Sequence, residues 1–300
     1  MQYDVIIVGG SYAGLSAGLA LGRARKRVLI IDAGQRRNRF AHTAHGFLGQ
    51  DGRAPGDIAR DARAEVAAYP TITFLGGTAT TAAQIGDDFA VTLEGGATHT
   101  AARLILATGV VDELPDLPGL REGWGKGVLH CPYCHGYEVA GQRLGVLALM
   151  PFATHQANMI PDWGPTTFLT NGVVSLAANE RAALTARGVA IEETRVAEVL
   201  NAGGGLAGVR LTDGRTVALD ALFTGVPTRL ASPLAAQLGC AIDDTIGGPI
   251  IRVDAMGQTP VAGVYAAGDA AAMMKSLPGA VAGGYAAGAM AHQSLIPPAH

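Results

Sequence analysis

The residues with the most chemistry in them are Cys131 and Cys134, separated by Pro132 and Tyr133 and followed directly by His135. A CxxC spacing lets two sulfurs meet as a disulfide, and lets one be attacked while the other leaves as a thiolate. Pro132 suits the first position of a helix, which puts Cys131 near an N-cap. A helix N-terminus lowers the pKa of a thiol and raises its reactive fraction. His135 can take or give a proton near neutral pH. Three other readings of CPYCH stand beside this one. CxxCH is the attachment pattern of haem c, which needs export and a distant second ligand. Zinc needs four ligands, commonly from a second Cys/His pair, and the remaining Cys240 is isolated in LGCAI, where it reads as a small buried hydrophobe. A CxxC without a role is the third. No metal is expected, and the favoured reading is a redox pair with Cys131, Cys134 and His135 as catalytic residues.

A redox pair needs elements that hold it beside an electron carrier. YDVIIV at 3–8 predicts a buried parallel strand, GGSYAG at 9–14 a tight phosphate-binding turn, and RVLII at 27–31 a second strand ending at Asp32. The helix that follows the turn aims its N–H groups at anionic oxygens. Gly9, Ser11, Tyr12, Ala13 and Gly14 are candidates for the pyrophosphate. Asp32, with Ala33 and Asn38 in the loop behind it, is a candidate for the ribose. The middle glycine of a G-x-G-x-x-G register is replaced by Ser11, small enough to preserve binding. LILATG at 104–109 ends another strand in Thr108 and Gly109, and TPVAGVYAAGD at 259–269 delivers Gly268 and Asp269 to the end of a late strand. An N-terminal and a C-terminal segment gripping one long ligand point to FAD. Arg23, Arg25, Lys26, Arg27, Arg36, Arg37 and Arg39 form a local basic run. It reads as a solvated helix end and loop, or as one or two later arginines approaching the pyrophosphate.

Between these halves the chain has its own strand–helix rhythm: strands near 143–149, 166–170, 189–193 and 206–211, and a helix near 175–187. Pro115, Pro118 and Gly119 mark the way in, Gly225 and Pro227 the way out. The expected fold is α/β, with two Rossmann-like dinucleotide-binding domains, the second inserted in the first. The FAD domain comprises 1–112 and 226–300; the CxxC-bearing middle domain comprises 113–225. The 300 residues are 49% hydrophobic, enough for two cores, and the 42 glycines cluster in turns rather than in a collagen period. A net charge of -3 gives no reason to expect nucleic acid as a partner. No uncharged apolar run reaches membrane-spanning length, and no signal-like leader precedes the first strand. A cytoplasmic protein is expected, where structural disulfides are disfavoured.

Taken in order, GGSYAG, LILATG, CPYC and TPVAGVYAAGD resemble the low-molecular-weight thioredoxin reductases, over essentially the whole chain. CPYCHGYE at 131–138 and HGFLGQDG at 45–52 resemble one branch more closely: FAD-dependent dithiol oxidases that close disulfides in natural products of the gliotoxin and holomycin kind. The resemblance implies FAD, a homodimer, a dithiol or disulfide substrate (a small molecule or a thioredoxin-like protein), and a place near the flavin for His45. By family position Cys131 is the outer sulfur and Cys134 the inner one. Standard members carry Asp where His135 stands, which implies different proton handling. In thioredoxin reductases the middle domain binds NADPH through a glycine-rich turn and a basic cluster. Here ALMPFA at 148–153 has no glycine, Pro151 has no N–H, and Thr170-Asn171-Gly172 replaces the basic run. The expected activity is dithiol oxidation with O2 as acceptor and without NADPH. The alternatives are a disulfide reductase fed by ferredoxin, and a non-catalytic FAD scaffold.

Overall fold

A computed structural model of the chain describes residues 2–297. They form two compact units: 2–39, 47–111 and 228–297 make the first, and 40–46 with 112–227 the second. Each is built around a parallel sheet, so the fold is α/β with Rossmann-like domains, the second inserted in the chain of the first.

In the first unit, β1 (Tyr3–Val8), α1 (Tyr12–Arg23) and β2 (Val28–Asp32) form the βαβ start. α2 (Pro55–Ala67) leads to β3 (Ile72–Gly76). β3, β2, β1, β6 (Thr98–Leu106) and the late strand Val264–Ala266 lie side by side, all parallel. An antiparallel hairpin, β4 (Ala79–Ile85) and β5 (Asp88–Leu93), extends the sheet from β6. Strands buried on both faces read as continuous apolar runs. Val5, Ile6 and Ile7 are fully buried, with alternate side chains entering the two cores that flank the sheet. The C-terminal helix Leu277–Gln293 packs on α1 through small residues, and Ser16 Oγ donates to the Val281 carbonyl at 2.7 Å. This contact fixes the last segment of the chain against the first glycine turn.

In the second unit, Ala190–Glu192, Thr166–Leu169, Leu144–Leu147, Ala221–Phe223 and Val128–Leu129 form a five-stranded parallel sheet in that spatial order. Strands 196–202, 205–211 and 216–218 make a separate antiparallel sheet. The expected helix near 175–187 spans Ala178–Ala186. Among the described residues no helix is long and apolar enough to cross a membrane.

Candidate functional site

The first unit gathers most of the sequence candidates at the carboxyl ends of its parallel strands, where ligands of doubly wound sheets bind. The chain leaves β1 at Gly9 with φ +107°, and a Cβ there would lie 2.1 Å from the Ala107 carbonyl oxygen. Only glycine permits that approach of two backbones. Ser11 is the N-cap of α1 and its side chain makes no capping bond, so Tyr12, Ala13 and Gly14 open the helix. Gly10 lies against Asp32, at the end of β2: a Cβ on it would be 2.7 Å from the Asp32 Cβ. Ala33 follows, exposed.

Behind the turn, the Tyr12 hydroxyl donates to the Pro55 carbonyl at 2.9 Å and accepts from Asn38 Nδ2 at 3.1 Å. Burial pushes the Tyr12 phenol upward, against the hydrogen bond from Asn38 and the nearby Arg36 charge. Two buried polar atoms here, Asn38 Oδ1 and Arg36 Nε, have no hydrogen-bond partner within the protein. Buried polar atoms are nearly always paired, so these two fit a polar ligand laid along the loop. Arg37 Nη1 stands 3.0 Å from Asp269 Oδ2, with both side chains about four-fifths buried. Gly268 (φ +72°) precedes Asp269, and Thr108 and Gly109 (φ +70°) follow β6. A glycine turn at a helix N-terminus, an acid at the end of β2, and orphaned donor and acceptor atoms match the phosphate and hydroxyl groups of FAD. The sequence did not reveal that Arg37 faces Asp269. The arginine-rich run held the signal, but 232 residues separate the two.

The second unit holds the cysteine pair. Cys131 is the N-cap of a single-turn helix, Pro132–His135, with Pro132 at its first position as expected. Cys134 N–H donates to the Cys131 carbonyl at 3.2 Å, and Gly136 N–H to the Pro132 carbonyl at 2.7 Å. Both cysteines are half-buried. One turn aligns few peptide dipoles, so the helix supplies less thiolate stabilisation than a long one would. Burial lowers the His135 pKa below the ordinary histidine value, Glu138 opposes that shift, and His45 reinforces it. His45 groups with this unit through Phe40–Gly46. Its Nε2 is 3.3 Å from Glu138 Oε1.

The Trp163 ring meets Tyr133 edge-on at 6.0 Å between centroids. A Cβ on Gly136 would lie 2.7 Å from Trp163 Nε1, so Trp163 clamps the turn that carries the cysteines. Glu138 and Trp163 are site residues that sequence reasoning missed. Glu138 is the last residue of CPYCHGYE; Trp163 carried no signal. Cys240 is buried in the first unit's core, and burial raises its thiol pKa. Among the described residues no cluster of three or more His, Cys, Asp or Glu could hold a metal.

At the expected NADPH end of the second sheet, Leu144–Leu147 runs into Ala148 and then a seven-residue helix, Ala153–Met159, with Phe152 at its N-cap position and no side-chain capping bond. The Phe152 ring presses on Gly225, within 2.7 Å of where a Cβ would be. Asn171 (φ +54°) ties the neighbouring strand ends together: its Nδ2 donates to the Ala148 carbonyl and its Oδ1 accepts from Val196 N–H.

A model of the pyridine nucleotide-disulphide oxidoreductase family matches residues 3–147 and 171–284. The thioredoxin reductase tcpT of Claviceps purpurea is 36% identical over 304 residues, covering 98% of this chain and 94% of that protein. The crystal structure of an oxidoreductase from Agrobacterium tumefaciens covers 100% of both chains at 52% identity, with a TM-score of 0.95. That of HlmI covers 98% of this chain and 92% of its own at 36% identity, with a TM-score of 0.93.

Proposed function

Since the chain belongs to the pyridine nucleotide-disulphide oxidoreductase family and is an FAD-dependent disulfide oxidoreductase related to thioredoxin reductases, we propose that it oxidises a dithiol to a disulfide, with O2 as the final acceptor and without NADPH. The observation that carries this reading is the end of the second sheet. The strand Leu144–Leu147 is followed by ALMPFA, with the Phe152 ring packed on Gly225. A pyrophosphate needs glycines and a ready row of backbone N–H groups there.

Gly9, Ser11, Tyr12, Ala13, Gly14, Asp32, Ala33, Asn38, Thr108, Gly109, Gly268 and Asp269 hold FAD. Ser11 and the helix N-terminus face the phosphates, and the two aspartates accept from sugar-alcohol hydroxyls. Bound there, FAD would supply a two-electron acceptor for the cysteine dithiol and a donor for O2, which would leave as H2O2.

The chain's own residues perform the exchange. A substrate thiol gives its proton to His135, and its sulfur bonds to Cys131 as the Cys131–Cys134 bond breaks; Cys134 leaves as thiolate. The second substrate thiol then attacks the substrate sulfur of the mixed disulfide, expelling Cys131, and its proton passes to the leaving Cys131 sulfur. The substrate leaves two electrons poorer and the cysteine pair two electrons richer. The active species is a cytoplasmic homodimer.

An anaerobic titration of the FAD-loaded protein with dithiothreitol, followed by air, tests the reading. Bleaching of the flavin by about one equivalent, then recovery with H2O2 formed, is expected. A flavin bleached only by reduced ferredoxin, or promptly by micromolar NADPH, would refute it.

A further inference from the structure

In the second unit the strand Val128–Leu129 lies at the edge of the parallel sheet, beside Ala221–Phe223. Its last ladder bond runs from Thr224 N–H to the Leu129 carbonyl at 2.9 Å. The next carbonyl, that of His130, lies past the ladder and accepts from Gln156 Nε2 at 3.0 Å. The His130 ring is held as well: Nδ1 is 3.3 Å from the Thr224 carbonyl oxygen, and the ring tilts against Trp124 at 6.5 Å between centroids. Cys131 follows with φ -116° and ψ 118° and opens the CxxC turn.

The torsions at this joint have separate owners. Pro132 fixes its own φ through its ring and keeps the ψ of Cys131 extended. The ψ of His130 and the φ of Cys131 flank the peptide between them, and rotating that peptide swings the Cys131 sulfur. Holding the His130 carbonyl oxygen holds both. Gln156 reaches it from the helix Ala153–Met159, where its neighbours Ala153 and Ala157 enter the second unit's core. Its side chain is buried, with 8% of the residue exposed. A carbonyl only accepts, so Nε2 faces His130 and Oε1 points away. Oε1 is buried with no hydrogen-bond partner in the protein. A half-satisfied buried amide is a worse core occupant than an apolar chain of the same length. His130 is exposed, so its carbonyl can turn to water if the amide is removed. The bond therefore adds little to stability; what it secures is direction.

We propose that Gln156 is a positioning residue for Cys131: it fixes the 130–131 peptide and so sets where the outer sulfur stands relative to Cys134 and to an incoming thiol. The bond moves no electrons and no protons. The proposal rests on the reading of Cys131 and Cys134 as the exchanging pair.

The test compares full-length, FAD-loaded wild type with Gln156→Met, and with Gln156→Leu as a second apolar variant. Methionine matches glutamine in length and removes both the donor and the orphaned oxygen. FAD should stay bound, and the melting temperature should hold or rise. In anaerobic mixtures of oxidised and reduced dithiothreitol, alkylation and mass spectrometry count the Cys131–Cys134 disulfide. Its equilibrium should move about three- to tenfold toward the dithiol, because a looser Cys131 meets Cys134 at a lower effective concentration. The limiting rate of flavin reduction by dithiothreitol should fall about tenfold, with half-saturation changed by less than about twofold.

A wild-type equilibrium and limiting rate in both variants would overturn the proposal. So would a lowered melting temperature with those two values unchanged, since the bond would then be structural only. The thiol count needs neither flavin reduction nor oxygen. A shifted equilibrium in a protein that fails to oxidise dithiols would sink the functional reading and leave the role of Gln156 standing. An unshifted one in a protein that does oxidise them would sink Gln156 alone.

Discussion

At the residue scale His135 directly follows the cysteine pair, and its pH behaviour has a definite sign. Burial is the largest influence on it and lowers its pKa below the ordinary histidine value. A base works in its neutral form, so dithiol oxidation should hold its rate through pH 7 and fall only as pH drops through that lowered value. His135→Ala should remove this acid limb and slow turnover by about 10²–10⁴-fold, with FAD still bound. Stopped-flow flavin reduction between pH 5 and 9 checks it, and an unchanged profile would remove His135 from the chemistry. Asp269 sits at the other end of the problem, 3.0 Å from Arg37. Asp269→Ala removes an acceptor at the proposed ligand and the carboxylate that Arg37 faces. FAD affinity should drop about tenfold to hundredfold, the equivalent of roughly 1–3 kcal/mol. Flavin-to-protein absorbance after dialysis measures this, and full occupancy would contradict the assignment.

Two tight approaches locate the chemistry at the element scale. At Gly9 the β1–α1 turn passes so close to Ala107 that an added methyl would meet a carbonyl oxygen at 2.1 Å, in a backbone conformation that L side chains avoid. Gly9→Ala should therefore displace the turn, lower flavin loading severely and reduce the melting temperature; a fully yellow, wild-type-stable variant would show that the turn does not grip the cofactor. At Gly136 the Trp163 ring and the Pro132 carbonyl leave no room for a Cβ, at 2.7 and 2.6 Å. Gly136→Ala should shift the CxxC turn and slow dithiol-driven flavin reduction at least tenfold, while FAD stays bound in the other unit. Equal rates in the variant and wild type would mean that the Trp163 clamp is not what positions the cysteines.

For the molecule as a whole, the path of electrons from dithiol to oxygen runs through the cysteine pair in the proposed scheme. Cys134→Ser should abolish electron transfer from dithiol to flavin, since serine cannot carry the exchange. Cys131→Ser should also stop turnover, and a long-wavelength absorbance band in that variant would report its Cys134 thiolate reaching oxidised flavin. Oxygen-electrode traces with dithiothreitol should show uptake in wild type and none in either variant. Full oxidase activity in the double serine protein would defeat the scheme.

The sequence by itself determined the parallel α/β plan, because runs such as VIIV at 5–8 and LILA at 104–107 are apolar throughout and suit strands buried on both faces. It also determined the cofactor class and the redox pair, because glycine turns and CxxC are local motifs whose chemistry lies within a few residues. The β4–β5 hairpin stayed illegible: ATTAAQI has little alternation, and its neighbours decide its state. The boundaries of helix 178–186 shifted by three residues at the start for the same reason, since a weakly amphipathic segment takes its limits from packing. Only the tertiary structure could bring Arg37 to Asp269, His45 to Glu138 and Trp163 to Gly136. These pairs join residues far apart in the chain, and their separation in space depends on strand order and helix packing, which no short stretch of sequence encodes.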